Sequence, residues 1–216
     1  MPSPDATPLP PPLDALFDGR GFRVDAAAGT VADHDGSRLV FLPHNLVRSL
    51  HGLLRAEKNA VWQTTFLQCG IALGRKVAAG LDAELGRLDQ PVLAALPLET
   101  CLVFIERHFA SHGWGRLKLD LTDAPEHGLV SAQLHGSYFV EVLADAGEFV
   151  DPLLSGILQG FFEHVSGQEL GCLEIACARK GAAHCTFVIT APDRLAAVAP
   201  LLGTATAEAI IARLKS

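Results

Sequence analysis

Glu174, Cys177 and Cys185 are the residues whose types and spacing in this sequence point most directly to chemistry. Glu174-Ile175-Ala176-Cys177 reads as the end of one strand and Cys185-Thr186-Phe187-Val188-Ile189-Thr190 as a second. A hairpin centred on Gly181 sets Cys177 across from Cys185, with Cβ atoms roughly 4.5–5.5 Å apart. Two thiolates at that separation can share one metal ion, and Glu174 would add an oxygen. Zinc accepts such mixed sulfur and oxygen sets, usually as four ligands in a closed structural site. Residues three apart on a regular strand face opposite sides, so Glu174 joins the pair only if a bulge or the strand's end turns it. Without a metal, the same pattern reads as two small buried thiols in a hairpin. His184 adjoins Cys185, but neighbouring strand residues point to opposite faces, so a catalytic Cys–His pair is not expected.

The hairpin sits in a longer pattern: Asp151-Pro152-Leu153-Leu154-Ser155-Gly156, Gly160-Phe161-Phe162, Gly167, then Glu174, Cys177 and Cys185. This resembles the C-terminal half of the 4-vinyl reductase family. That family includes a protein of bacteriochlorophyll synthesis and the sensor domains of phenol- and toluene-responsive transcription activators. Arg38-Leu39-Val40-Phe41-Leu42-Pro43, Cys69-Gly70 with Gly74, and Ser111-His112-Gly113-Trp114-Gly115 are similar to earlier parts of the pattern. The resemblance extends over residues 17–216 and is most specific in the last third. It implies a nitric-oxide-signalling/Golgi-transport-type ligand-binding fold, a homodimer paired through its helices, and a pocket for a small hydrophobic molecule near a metal site.

The family pattern places a cysteine where this chain has Asp151. The implied ligand set is therefore Asp151, Glu174, Cys177 and Cys185, holding a structural zinc. Asp before Pro at the head of an apolar run is also a helix N-cap with proline at the first helical position, and Cys172 is an alternative third sulfur. For the pocket, His108, Trp114, Tyr138 and Phe161 are the expected ligand contacts, with Gly156 and Gly160. Those two glycines lie one turn apart on one helix face, each costing about 1 kcal/mol relative to alanine. They leave room either for a ligand or for a neighbouring helix. His108 could also serve as an axial ligand to the metal of a tetrapyrrole.

The elements that must position these residues follow from periodicity. Phe22–Val24 and 38–42 read as short strands, 43–57 as an amphipathic helix, and 59–85 as a long helix with a small-residue stripe. A third helix spans 98–111 and stops at Gly113. Strands are expected at 115–121, 129–134 and 138–143, a glycine-containing helix at 152–165, the hairpin at 169–190, and helical segments at 193–214. The order gives an α+β fold with helices packed on an antiparallel sheet and a C-terminal metal-binding hairpin.

At 216 residues with 49% hydrophobic and 19% charged side chains, the chain can build a substantial core as one domain, 17–216. Residues 1–16 read as a disordered Pro-rich tail without the features of a signal peptide. A net charge of −7 without a basic block argues against nucleic-acid binding. No uncharged apolar run is long enough to span a membrane. Five cysteines, an odd number, suit reduced thiols in a cytoplasmic protein. No dinucleotide fingerprint or iron–sulfur pattern accompanies them. The expectation is a non-enzymatic binding protein for a hydrophobic small molecule or tetrapyrrole. The alternatives are a component of vinyl reduction in (bacterio)chlorophyll synthesis and a dimeric adaptor for a partner protein.

Overall fold

The computed structural model describes residues 9, 13, 16, 22–32, 36, 38–56, 61–143 and 149–216. Strands β1 (Arg23–Asp25), β2 (Thr30–Ala32) and β3 (Arg38–Leu39) form a small antiparallel sheet. Helices α1 (His44–Ala56), α2 (Val61–Arg87) and α3 (Leu98–Ser111) follow. The central sheet is built from β4 (Arg116–Asp120), β5 (Val130–His135), β6 (Gly171–Ala176) and β7 (Cys185–Thr190). Its order is β4-β5-β7-β6, with every neighbouring pair antiparallel. Short helices α4 (Ala124–His127) and α5 (Tyr138–Val142) flank β5, α6 (Pro152–Ser166) precedes β6, and α7 (Pro192–Val198) and α8 (Ala207–Lys215) close the chain.

The sheet is buried on both faces, which explains why β7 is an unbroken apolar run rather than an alternating one. Cys185, Phe187 and Ile189 face the main core with Phe104, Leu158 and Phe161. Val188 and Ile175 face a second core with Leu195, Val198, Ile210 and Leu214 from α7 and α8. Arg194 pins this second layer by donating to the carbonyls of His127 and Leu214 and to Thr190 Oγ1.

The α2–α6 contact is the most extensive between elements among the described residues, and its closeness depends on glycine. A Cβ on Gly70 would stand 2.1 Å from the Leu153 carbonyl oxygen, and one on Gly74 2.2 Å from that of Ile157. From the other side, a Cβ on Gly156 would stand 2.3 Å from Leu67 O, and one on Gly160 2.2 Å from Ile71 O. Side pairs flank this seam: Arg75 with Glu163 at 2.7 Å, and His164 with Asp82 at 2.7 Å. Helix α6 ends at Gly167, whose φ of +65° and N–H to Glu163 O make a left-handed cap.

Three sequence expectations change. The segment 138–143, rich in strand-forming residues, is the helix α5; Gly136 at φ +64° ends the strand before it, and Phe139 and Val142, three apart, are buried together. Thr30–Ala32, not among the expected strands, pairs with both β1 and β3. The expected tail 1–16 lies outside the described residues except for Leu9, Leu13 and Leu16, which are buried in the main core. No described helix is long and apolar enough to cross a membrane.

Candidate functional site

The structure gathers Asp151, Glu174, Cys177 and Cys185 into one buried group, with one ligand atom from each lying within 4.8 Å of all the others. The register of the β6–β7 hairpin is what makes this arrangement work. Glu174 pairs with Phe187 but Ala176 pairs with Thr186, so Ile175 is an extra residue in β6. Beyond that bulge Cys177 reaches Cys185, and since Phe187 and Cys185 share a face, so do Glu174 and Cys177. The Cys185 and Cys177 sulfurs are 3.9 Å apart. Two sulfurs on one tetrahedral zinc, each at about 2.3 Å, would be separated by about 3.8 Å.

Asp151 arrives from the head of α6. It occupies the N-cap position with Pro152 at N1, yet its side chain makes no cap hydrogen bond. Its Oδ1 accepts from Ser137 Oγ at 2.6 Å, and its backbone N–H donates to Glu174 Oε2 at 3.1 Å. The second oxygens, Asp151 Oδ2 and Glu174 Oε1, are buried without a hydrogen-bond partner. Orphaned buried carboxylate oxygens are costly unless something satisfies them.

The protonation pattern follows from this crowding. The hydrogen bond from the Cys185 thiol brings Cys177 down to about 5; the neighbouring Glu174 side chain and the backbone N–H groups of Arg179 and Val150 act in the same direction, against burial. Its partner Cys185 is pushed far up by giving that bond, by burial and by the two carboxylates. Burial raises Asp151 to about 6, against the Ser137 bond. Glu174 is held well above its ordinary value by burial, then by Asp151 and Cys177. The group therefore stores protons that a divalent cation could replace, and two sulfurs with two carboxylate oxygens form a donor set zinc accepts. Cys172 is buried beside Ser155 and Glu174 and is raised above its ordinary value mainly by burial; it lies outside the four-residue group.

The expected ligand residues are dispersed. Gly156 and Gly160 face the α2 backbone, so the space opposite them is filled by a helix rather than left for a ligand, and the role expected for them is corrected to helix packing. Phe161 is fully buried in the core beside Phe162, with ring centroids 5.6 Å apart. Trp114 and Tyr138 do meet, with rings edge-to-face at 6.0 Å and Tyr138 N–H donating to Trp114 O, but Phe139 stacks on Trp114 and closes the group. His108 is half-buried on α3 with its ring 3.9 Å from that of His112. His184, adjacent to Cys185, lies against His135 at 4.7 Å.

A concave apolar surface lies elsewhere. A recess of about 320 Å³ opens between α3, α4, α6 and the sheet, lined by Leu98, Ala124, Val130, Phe162, Val165 and Ile189 among others. Ser166 brings a hydroxyl, already engaged with Phe162 O at 2.7 Å and Gln168 N at 3.1 Å. None of the six expected ligand residues lines it. Each lining side chain reads in the sequence as ordinary core, and no spacing announces that they surround a hollow.

Residues 130–191 match the family model of the 4-vinyl reductase domain, a span that includes all four members of the buried acidic and thiol group. No curated protein matches the chain. Among solved structures, the phenol-responsive sensory domain of the transcription activator PoxR with phenol is similar at 18% identity and a TM-score of 0.64, covering 95% of this chain and 96% of that one. A vinyl-4-reductase family protein from Methanocaldococcus jannaschii is 13% identical with a TM-score of 0.45, over 70% of this chain and 83% of that one. A trafficking protein particle complex subunit 3 from Naegleria fowleri, covalently bound to palmitic acid, is likewise 13% identical with a TM-score of 0.45, over 68% and 93%. The resemblance to the vinyl reductase family is thus shown, and the fold is that of the PoxR sensory domain.

Proposed function

We propose that this chain is a non-enzymatic binding domain for a small apolar molecule, held in the recess between α3, α4, α6 and the sheet, with a structural zinc bound nearby. The recess carries the reading. Its volume of about 320 Å³ falls within the range of small-molecule sites, and its walls are hydrocarbon apart from one engaged hydroxyl. A dry cavity of about 150 Å³ suffices for benzene, so this recess suits a molecule of one or two rings. A tetrapyrrole macrocycle would require the surrounding helices to move. The likeness to a domain that holds phenol supports the class of ligand, and the apolar lining favours hydrocarbon over phenolic ligands.

The metal would be held by Asp151, Glu174, Cys177 and Cys185. Four protein donors leave no open position, the mark of a structural site. Bound there, zinc would neutralise the buried acids and clamp the head of α6 to the hairpin. Homodimer formation is supported by exposed Leu46, Leu50 and Leu53 on α1, together with exposed Val40, Phe41 and Leu42. Contiguous apolar surface of that sort marks an interaction site.

Two measurements test this reading. Naphthalene at a hundred times its dissociation constant should stabilise the protein by about 2.7 kcal/mol; a melting temperature unmoved at saturation by naphthalene, toluene and phenol would refute the ligand reading. Elemental analysis should find one zinc per chain and none in a Cys177→Ser/Cys185→Ser variant. A content near zero in the wild type would remove the metal.

A further inference from the structure

Ser137 stands at the N-cap position of α5, where a serine side chain ordinarily accepts from a backbone N–H of the first turn. It makes no such bond. Its hydroxyl is directed away from the helix and donates to Asp151 Oδ1 at 2.6 Å. Both residues are inaccessible, Asp151 at 0% and Ser137 at 4% exposure. Asp151 likewise forgoes the cap of α6, and its other oxygen, Oδ2, is left without a hydrogen-bond partner. Two N-cap residues therefore turn away from their helices toward each other, at the edge of the four-residue group.

We propose that Ser137 is the positioning residue of this metal centre: it occupies Asp151 Oδ1, so that the aspartate presents Oδ2 as a single-oxygen ligand. This rests on the metal reading given above. A buried carboxylate with both oxygens unengaged can rotate, bind an ion through both oxygens, or return to capping α6. A hydrogen bond to one oxygen removes those alternatives and fixes the ligand's direction, the general task of groups that bond to a metal's ligands. Ser137 also joins the centre to α5, whose first residue, Tyr138, donates its N–H to Trp114 O.

The test compares wild type, Ser137→Ala, Ser137→Val and Ser137→Thr. Zinc affinity is measured by competition with a chromophoric chelator, cobalt(II) is used as a spectroscopic probe, and the melting temperature of the metal-free protein is recorded alongside. Ser137→Ala should weaken zinc binding by about 10- to 100-fold and alter the cobalt spectrum, while Ser137→Thr keeps both near wild type. The Val and Thr variants have nearly equal volume, so that pair gives the same comparison if the alanine variant does not fold. A serine with a merely structural role would lower the metal-free melting temperature and leave zinc affinity and the cobalt spectrum unchanged; that result overturns the proposal alone. A wild-type protein that binds neither ion overturns the metal reading as well.

Discussion

Replacing Gly160 with alanine isolates the force that sets the spacing of α2 and α6. In a free helix the change favours folding by about 1 kcal/mol. Here the new Cβ would stand 2.2 Å from Ile71 O and 3.0 Å from Arg75 N, more than an ångström inside ordinary contact with the first. Both neighbours are backbone, so no side chain can swing away and the helices must separate. Overpacking of that kind belongs at the upper end of the usual range, about 2–3 kcal/mol. After the helix-propensity gain, a net loss of about 1–2 kcal/mol remains. That corresponds to a melting temperature lower by about 2–8 °C in a chain of this size. Gly80 is the control: it lies in the same helix α2, and a Cβ there would meet nothing within 4 Å among the described residues. Gly80→Ala should therefore stabilise by about 0.5–1 kcal/mol. Equilibrium urea unfolding of both variants reads the two signs. A Gly160→Ala protein as stable as wild type, or more stable, would refute the packing account of these glycines.

Zinc affinity should rise with pH between about 5.5 and 7.5, because the ion must displace protons held by Asp151, raised to about 6, and by Glu174 and Cys185, raised further in direction. Loss of one proton on binding gives about tenfold per pH unit, and chelator competition that stays flat across this range would contradict the assignment. Ala124→Leu, which places a larger apolar group in the wall of the recess, should weaken naphthalene binding severalfold with little change in melting temperature; unchanged affinity would place the ligand elsewhere. Arg194→Ala, which strips hydrogen bonds from His127 O, Leu214 O and Thr190 Oγ1, should cost about 1–3 kcal/mol. Hydrogen exchange should show the loss concentrated in α8, and a uniform effect across the fold would count against the anchoring role.

Much of this architecture was legible in the residues, for reasons that differ from element to element. Helix α3 runs over the span its periodicity indicates, because Gly113, at φ +73°, stops it sharply. The Cys177–Cys185 approach follows from a turn around Gly181, whose φ is +96°. Bringing Glu174 to the same face needed a bulge, a feature the sequence requires without locating; it falls at Ile175. Asp151 carried two local meanings, cap and ligand, and the contact from Ser137, fourteen positions away, decides against the cap. The α5 segment misled because β-branched and aromatic residues favour strands only where a sheet has room for them, and Gly136 turns the chain off the sheet first. The glycine face of α6 was visible as a demand for space, but only the position of α2 reveals what occupies it. The recess had no local signature, since a hollow is a property of how Leu98, Ala124, Val130 and Phe162 are arranged rather than of what they are.

The central claim concerns where a small apolar molecule resides, and a crystal structure of the protein grown with naphthalene tests it most directly. The account predicts a planar two-ring density between Val130, Phe162, Val165 and Ile189, beneath Leu98 and Ala124. Naphthalene seated instead against Trp114 and Tyr138, or a recess that stays empty at saturating concentration, would contradict it.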